Sequence, residues 1–284
     1  MTIRCGFIGL GIMGNALARN LAPNGLPASV FDLDEEAMAE VAKSGAKPVA
    51  SPAEIAKASD LIGICVPADD HVRSVLCGDA GVFAHAARGA VVLIHSTIHP
   101  ETFLEMAELG AKSGIDVLEV PVAGGPVRAA EGNAYFIVAG KQEAIDKAKP
   151  YFDALTNEIT LAGELGNAAK LKLALNVLTN LSFSAALEGL LLAKAMGLPQ
   201  ELFEEGGQAN TMLNSLHLQY LSTRKMPEEA QRSEGLQDYL RGRMEIAQKD
   251  LSLALEMARK HGIAMPVTGV VSQVIARIYG VHDD

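Results

Sequence analysis

Gly9-Leu10-Gly11-Ile12-Met13-Gly14 lies between an apolar run, Ile3 to Ile8, and a helical stretch, Met13 to Leu21. Three glycines at this spacing suit a pyrophosphate: the first permits a tight turn, the second lets backbone approach the phosphates, and the third lets helix and strand pack closely. The pattern alone is weak. With a strand before it, a helix behind it and an acid at the end of the next strand, it reads as a dinucleotide loop. That acid is Asp32, eighteen positions beyond Gly14, placed to accept hydrogen bonds from the adenosine ribose hydroxyls. A 2′-phosphate would be repelled there, and the chain continues Leu33-Asp34-Glu35-Glu36 with no Arg or Lys. NAD rather than NADP is therefore the expected cofactor, with Leu33 beside the ribose acid and Val66 and Pro67, at the end of another apolar run, on the adenosine side.

Other reactive groupings carry less. His95 and His99 stand four apart, but no Asp, Glu or Cys joins them at ligand spacing and Pro100 ends the segment. The stretch reads as a loop, and no metal site is expected. Cys5, Cys65 and Cys77 are odd in number and lack a paired spacing, which suits reduced thiols in a cytoplasm better than a disulfide framework. No serine-hydrolase elbow or zincin motif occurs in the sequence.

The elements that must position these residues follow from hydrophobic patterning. The 284 residues are 49% apolar and 20% charged, with a formal net charge of −10. Two domains are the natural prior for that length. The acidic balance argues against a nucleic-acid partner, whose phosphates need clustered Lys and Arg. Up to about residue 160, short apolar runs alternate with helical stretches, as in a parallel sheet covered by helices. The expected strands are Ile3 to Ile8, Ser29 to Phe31, Leu61 to Val66, Ala90 to Ile94, Asp116 to Val120, Ala134 to Ala139 and Ile159 to Leu161. Ser51-Pro52-Ala53-Glu54 has the form of a capping box with proline at the first helical position.

After Gly163 the pattern is helical almost to the end: Asn167 to Met196, Leu236 to Lys260 and Pro266 to Tyr279, with Arg224 to Gly235 expected as a solvated loop or turn between helices. The first of these would be about 45 Å long. Its apolar part, Leu173 to Met196, is long enough to raise a membrane span, but Asn176, Thr179, Asn180 and Glu188 interrupt it. A buried helix inside the protein is the better reading. The N-terminus enters a strand-like run at once, without a secretory leader pattern, and the protein is expected to stay in the cytoplasm.

Phe7-Ile8-Gly9-Leu10-Gly11-Ile12-Met13-Gly14-Asn15, with Met-Gly after the second glycine, resembles the β-hydroxyacid dehydrogenase family, 3-hydroxyisobutyrate dehydrogenase-like. Three further segments match in order. Glu119-Val120-Pro121-Val122-Ala123-Gly124-Gly125, continued by Arg128, Ala129 and Gly132, resembles the family's substrate loop; Gly163 to Asn176 resembles its catalytic segment; Lys249-Asp250-Leu251 resembles the late motif whose lysine closes over the cofactor. Two departures stand out: Ala123 replaces the usual serine, removing one hydroxyl contact to a substrate carboxylate, and Ala168 replaces a glycine near the helix start.

The resemblance implies an α/β fold, a doubly wound N-terminal Rossmann sheet followed by an all-α C-terminal domain on a long interdomain helix. The expected division is 1–162 for the NAD-binding domain and 163–284 for the catalytic and oligomerisation domain, with the site between them and a homodimer or homotetramer formed through the second domains. Lys170 and Lys172 compete for the catalytic position. Residues two apart lie about 200° around a helix, whereas Lys172 and Asn176, four apart, share a face; motif spacing aligns that pair with the family's. An ammonium there can stabilise and protonate the oxygen that gains charge as hydride arrives, and oxidation needs the neutral amine, a form that burial favours. Asn176 would hold the same oxygen or the substrate carboxylate, which the backbone of Gly124 and Gly125 could also bind beside Ala123. Thr97 corresponds to a family threonine at the nicotinamide end, touching cofactor or substrate. The implied reaction interconverts a small 3-hydroxy acid and its semialdehyde. Alternatives are a glyoxylate, succinic or tartronate semialdehyde reductase, an imine reductase of the same fold, which generally lacks the lysine, or a non-catalytic dinucleotide-binding protein.

Overall fold

The computed structural model describes residues 3–282. Nine strands form one sheet: β1 (Cys5–Ile8), β2 (Ala28–Phe31), β3 (Lys47–Pro48), β4 (Leu61–Ile64), β5 (Val91–Ile94), β6 (Asp116–Glu119), β7 (Val122–Ala123), β8 (Tyr135–Ala139) and β9 (Glu158–Gly163). Their order is β3-β2-β1-β4-β5-β6-β8-β7, with β9 beside β8. From β3 to β6 all pairs are parallel, β8 runs antiparallel to β6 and β7, and β9 is parallel to β8. The order reverses at β1, between β2 and β4, as in a Rossmann sheet.

The apolar runs are continuous because both faces of this sheet are covered. Phe7, Leu61, Val91, Leu93 and Leu118 enter one core, while Ile8, Ile62, Ile64, Val92, Ile94 and Val117 enter the other. All seven expected strands are present. The two unexpected ones, β3 and β7, have two residues each, too few to show a period, and Pro48 sits on the sheet edge where a missing donor is tolerated. Ser51 caps the helix Pro52–Ala58 by accepting the Glu54 amide at 3.3 Å, but the returning arm of the box reaches Ala50 N–H instead of its own cap residue.

Among the described residues no strand follows Gly163. The chain forms two compact units, one ending at Lys172 and the other beginning at Leu173. That division lies inside the helix Asn167–Ala195, past the expected break at Gly163, because the first turns of the helix fold onto the sheet: Ala169 belongs to the second core cluster of the Rossmann unit. The second unit gathers Phe183, Leu187 and Leu190 of this helix with Tyr220, Leu221, Leu251, Ile275 and Ile278. Arg224 to Gly235, expected as a loop or turn, consists of a 3₁₀ turn (Ser222–Lys225), a helical turn (Glu228–Gln231) and the start of the helix Glu234–Lys260. The last expected helix divides at Val274, between Pro266–Gln273 and Ile275–Tyr279.

The long helix is not the buried helix expected from its sequence. The long helix passes the length and composition test for a membrane span, yet only 28% of its most apolar window is buried. Leu178, Leu191 and Leu192 are exposed on it. A helix apolar on all sides needs cover on all sides, and within the second unit only the face bearing Phe183, Leu187 and Leu190 finds it.

Candidate functional site

The loop after β1 lies where the strand order reverses. Gly9 has φ +92°, and a Cβ there would stand 2.3 Å from the Cys65 carbonyl oxygen. A Cβ on Gly14 would stand 1.9 Å from the Gly9 oxygen, so helix Ile12–Ala18 can approach β1 only through a glycine. Gly11 differs: its φ is −59° and a Cβ would meet nothing within 4 Å. No protein neighbour requires that glycine. It leaves exposed backbone where a dinucleotide pyrophosphate would lie, and the residues present fit such a group.

Asp32 is half-buried at the end of β2 and does structural work in addition to anything it offers a ligand. One carboxylate oxygen accepts the Leu10 N–H and the other the Asp34 N–H at 2.9 Å, which ties the glycine loop to β2. A carboxylate has about four acceptor sites, so capacity remains. Leu33 beside it is 92% exposed. After β4, the Cys65 N–H donates to Ile8 O at 2.9 Å and the Val66 N–H to Ser96 Oγ at 2.9 Å, holding Val66 and the exposed Pro67 beside the loop. Ser96 went unnoticed in the sequence, and Thr97 next to it is half-buried.

The two histidines part company. His95 is buried, stacked against Phe7, with Nδ1 donating to Val120 O at 2.9 Å and Nε2 accepting from the Tyr151 hydroxyl at 2.8 Å. Burial pushes its pKa down to about 4, so the ring is a neutral core bridge. His99 caps the helix Pro100–Lys112, its Nδ1 accepting the Glu101 N–H at 3.1 Å.

Ala123 lies half-buried on β7, and Gly124 and Gly125 follow with φ of +89° and +85°, conformations that exclude an ordinary side chain. Arg128 does not face open space: its Nε donates to Asn133 O at 2.7 Å and a terminal nitrogen pairs with Glu158 at 2.7 Å. At the head of this segment Glu119 is fully buried. Its Oε1 accepts the Gly166 N–H and its Oε2 the Ala169 N–H at 3.0 Å. Burial raises its carboxyl above the usual carboxylate range, against the pull of the Gly166, Ala169 and Ala168 amides. On the helix that follows, Lys172 is 9% exposed whereas Lys170 points to solvent.

In the second unit Asn176 is half-buried, and its Nδ2 donates to Asp250 Oδ2 at 2.6 Å. Lys249 Nζ lies 3.3 Å from Asp250 Oδ1. Asp250, named in the sequence only as part of the late motif, carries a signal of its own: it falls with Ala247, Leu251 and Ala254 on the buried face of helix Glu234–Lys260, an acid in an apolar position. Asn180 continues the Asn176 stripe, its Nδ2 donating to Asn176 O and its Oδ1 accepting from the Tyr279 hydroxyl at 3.0 Å.

Comparison with known proteins agrees with this fold. The family model for the NAD binding domain of 6-phosphogluconate dehydrogenase matches residues 4–163, and the one described as NAD-binding of NADP-dependent 3-hydroxyisobutyrate dehydrogenase matches residues 166–283. An uncharacterized oxidoreductase of Mycobacterium tuberculosis is 35% identical, covering 100% of this chain and 96% of its own. The 2-(hydroxymethyl)glutarate dehydrogenase of Eubacterium barkeri is 31% identical, covering 96% and 88%. The solved structure of a 3-hydroxyisobutyrate dehydrogenase from Salmonella typhimurium superposes with TM-score 0.83 at 25% identity, covering 97% and 93%.

Proposed function

Since this chain belongs to the β-hydroxyacid dehydrogenase family, we propose that Lys172 is its proton-transfer residue and that Asn176 and the Ala123-Gly124-Gly125 loop hold a small 3-hydroxy acid or its semialdehyde. The chain is an oxidoreductase that acts with NAD on the CH–OH group of a hydroxy acid. Exposed backbone at Gly11, with Leu10, Ile12 and Met13 around it, would receive the pyrophosphate; Asp32, Leu33, Val66 and Pro67 the adenosine side; Thr97 and Lys249 the remainder. Bound there, NAD supplies the hydride acceptor, and NADH the donor.

The observation that carries the assignment is the burial of Lys172 beside an exposed Lys170 on one helix. A buried ammonium stays charged only where it has work or a partner. As a carbonyl is reduced, its oxygen gains negative charge, which Lys172 stabilises and protonates; in oxidation the neutral amine takes that proton. Asn176, its amide already donating to Asp250, presents Oδ1 as an acceptor for a substrate hydroxyl. The test is a spectrophotometric screen of NAD reduction against short 2-, 3- and 4-hydroxy acids. Turnover is expected with 3-hydroxy acids; silence across the panel overturns the reading.

Cofactor choice has its own test. Asp32 repels a 2′-phosphate, so kcat/KM should favour NADH over NADPH by about tenfold or more; equal use of both would remove Asp32 from the adenosine site.

Ala123 bears on substrate identity. Without a hydroxyl, this wall lacks one donor to a carboxylate, a contact typically contributing about 1.5 to 3 kcal/mol. A longer or more apolar acid than 3-hydroxypropionate is the expected preference, in line with a relative whose name specifies 2-(hydroxymethyl)glutarate. Ala123→Ser should raise kcat/KM for 3-hydroxyisobutyrate or 3-hydroxypropionate relative to larger acids by about tenfold. No change in that ratio would dismiss position 123 as a determinant.

The exposed Leu178, Leu191 and Leu192 support a homodimer or homotetramer built on the second unit, and sedimentation of a monomer at micromolar concentration would refute it. An odd number of cysteines without a paired spacing suits a reducing compartment, and we place the protein in the cytoplasm.

A further inference from the structure

Glu119 closes β6, and the chain runs from it through Pro121 and β7 into the glycine loop. Its backbone is held on both sides, in register with Ile94 of β5 and Ala139 of β8. From this fixed base its two carboxylate oxygens reach different amides at the start of the helix Asn167–Ala195, Oε1 to Gly166 and Oε2 to Ala169. Helix starts leave such amides unpaired, and a carboxylate there also meets the positive end of the helix dipole. A cap on solvated ground would do that more cheaply. Burying a carboxylate is costly unless its acceptors are met, and Glu119 is fully buried with both oxygens engaged. Lys172 follows Ala169 by three residues, less than one turn.

We propose that Glu119 is a positioning residue for the reaction: its carboxylate clamps the first turn of the helix bearing Lys172 to the strand that leads into the substrate loop. The lysine and the Ala123-Gly124-Gly125 loop thereby keep one separation. The inference rests on the reading of Lys172 as the proton-transfer group. Charge-assisted bonds of this kind are short and strong, and a displacement of about 1 Å at a reacting group can lower a rate by about 10²-fold.

Glu119→Gln tests it, since the carboxamide keeps the shape but turns an NH₂ toward one amide N–H, so that only one of the two bonds can form. With the best hydroxy acid of the screen, kcat should fall about 10- to 100-fold, while the Kd for NADH stays within about twofold of the parent. Amide hydrogen exchange should quicken in the peptide spanning residues 166–172 and remain unchanged in β1 and the glycine loop. Glu119→Asp, which keeps the charge but is one methylene short, should give a kcat between the two. Parental kcat together with parental exchange at 166–172 in Glu119→Gln overturns the proposal. So does a fall in kcat matched by an equal loss of NADH affinity, or failure of both variants to fold, since each would make Glu119 a residue of general stability. If only Glu119→Gln fails to fold, parental kcat in Glu119→Asp decides against the clamp and a reduced kcat with intact NADH binding decides for it. A parent inactive on every hydroxy acid, or a Lys172→Ala variant with parental kcat, instead overturns the reading of the site, and hydrogen exchange at 166–172 still judges the clamp.

Discussion

Lys172→Ala is expected to lower turnover about 10³-fold or more, a loss of about 4 kcal/mol of transition-state stabilisation, with NADH affinity nearly intact. Lys172 is the buried lysine of the pair and shares a helical face with Asn176. Its removal takes away the only proposed group that moves a proton at the substrate oxygen, whereas the glycine loop and Asp32 that would hold the dinucleotide are untouched. Lys170→Ala is the internal control: that side chain is solvated and 3.5 Å from Asn167 Oδ1, and its loss should change kcat by less than about threefold. Steady-state and single-turnover measurements on both variants decide the matter. A larger defect in Lys170→Ala would show that the opposite face of the helix carries the chemistry.

Gly14→Ala is expected to destabilise the protein by about 3 kcal/mol, the upper end of ordinary overpacking. The intruding methyl would meet a backbone oxygen, that of Gly9 at 1.9 Å, and no side chain can rotate away. Relief requires the helix Ile12–Ala18 to move off β1, which disturbs the same loop that Gly9 shapes. The thermal midpoint should fall by roughly 5 to 10 °C. Gly11→Ala separates sterics from ligand contact. Its backbone is in an ordinary region and its Cβ meets nothing within 4 Å, so the midpoint should hold or rise slightly, as Gly→Ala changes do at compatible sites. NADH binding should weaken about tenfold or more, because the methyl occupies the approach of the pyrophosphate. Calorimetry and a fluorescence titration report the two quantities independently. Equal midpoints for the parent and Gly14→Ala would contradict the packing argument, and parental NADH affinity in Gly11→Ala would move the pyrophosphate elsewhere.

Features set by local stereochemistry were readable from the sequence alone. A positive φ or a close approach favours glycine, so Gly9 and Gly14, read with the strand before them and the helix behind, mark their loop. Strands covered on both faces are apolar without interruption, which made β1, β4 and β5 legible, and the helical period separates Lys172 from Lys170 without any coordinates. Tertiary structure decided what joins distant parts of the chain. Glu119 meets amides 47 and 50 residues away, and Asp250 meets Asn176 across 74; helical period can mark Asp250 as buried, but no local pattern names the partner of an acid bonded at such range. β7 exists because β8 is there to pair with it, and its two residues have no pattern of their own. His95 is a bridge and not a ligand because Val120 and Tyr151 come to its ring. The same holds for the limits of the two units: composition changes at Gly163, but the chain divides after Lys172, because the buried carboxylate of Glu119 and the packing of Ala169 keep the first turns of the long helix on the sheet.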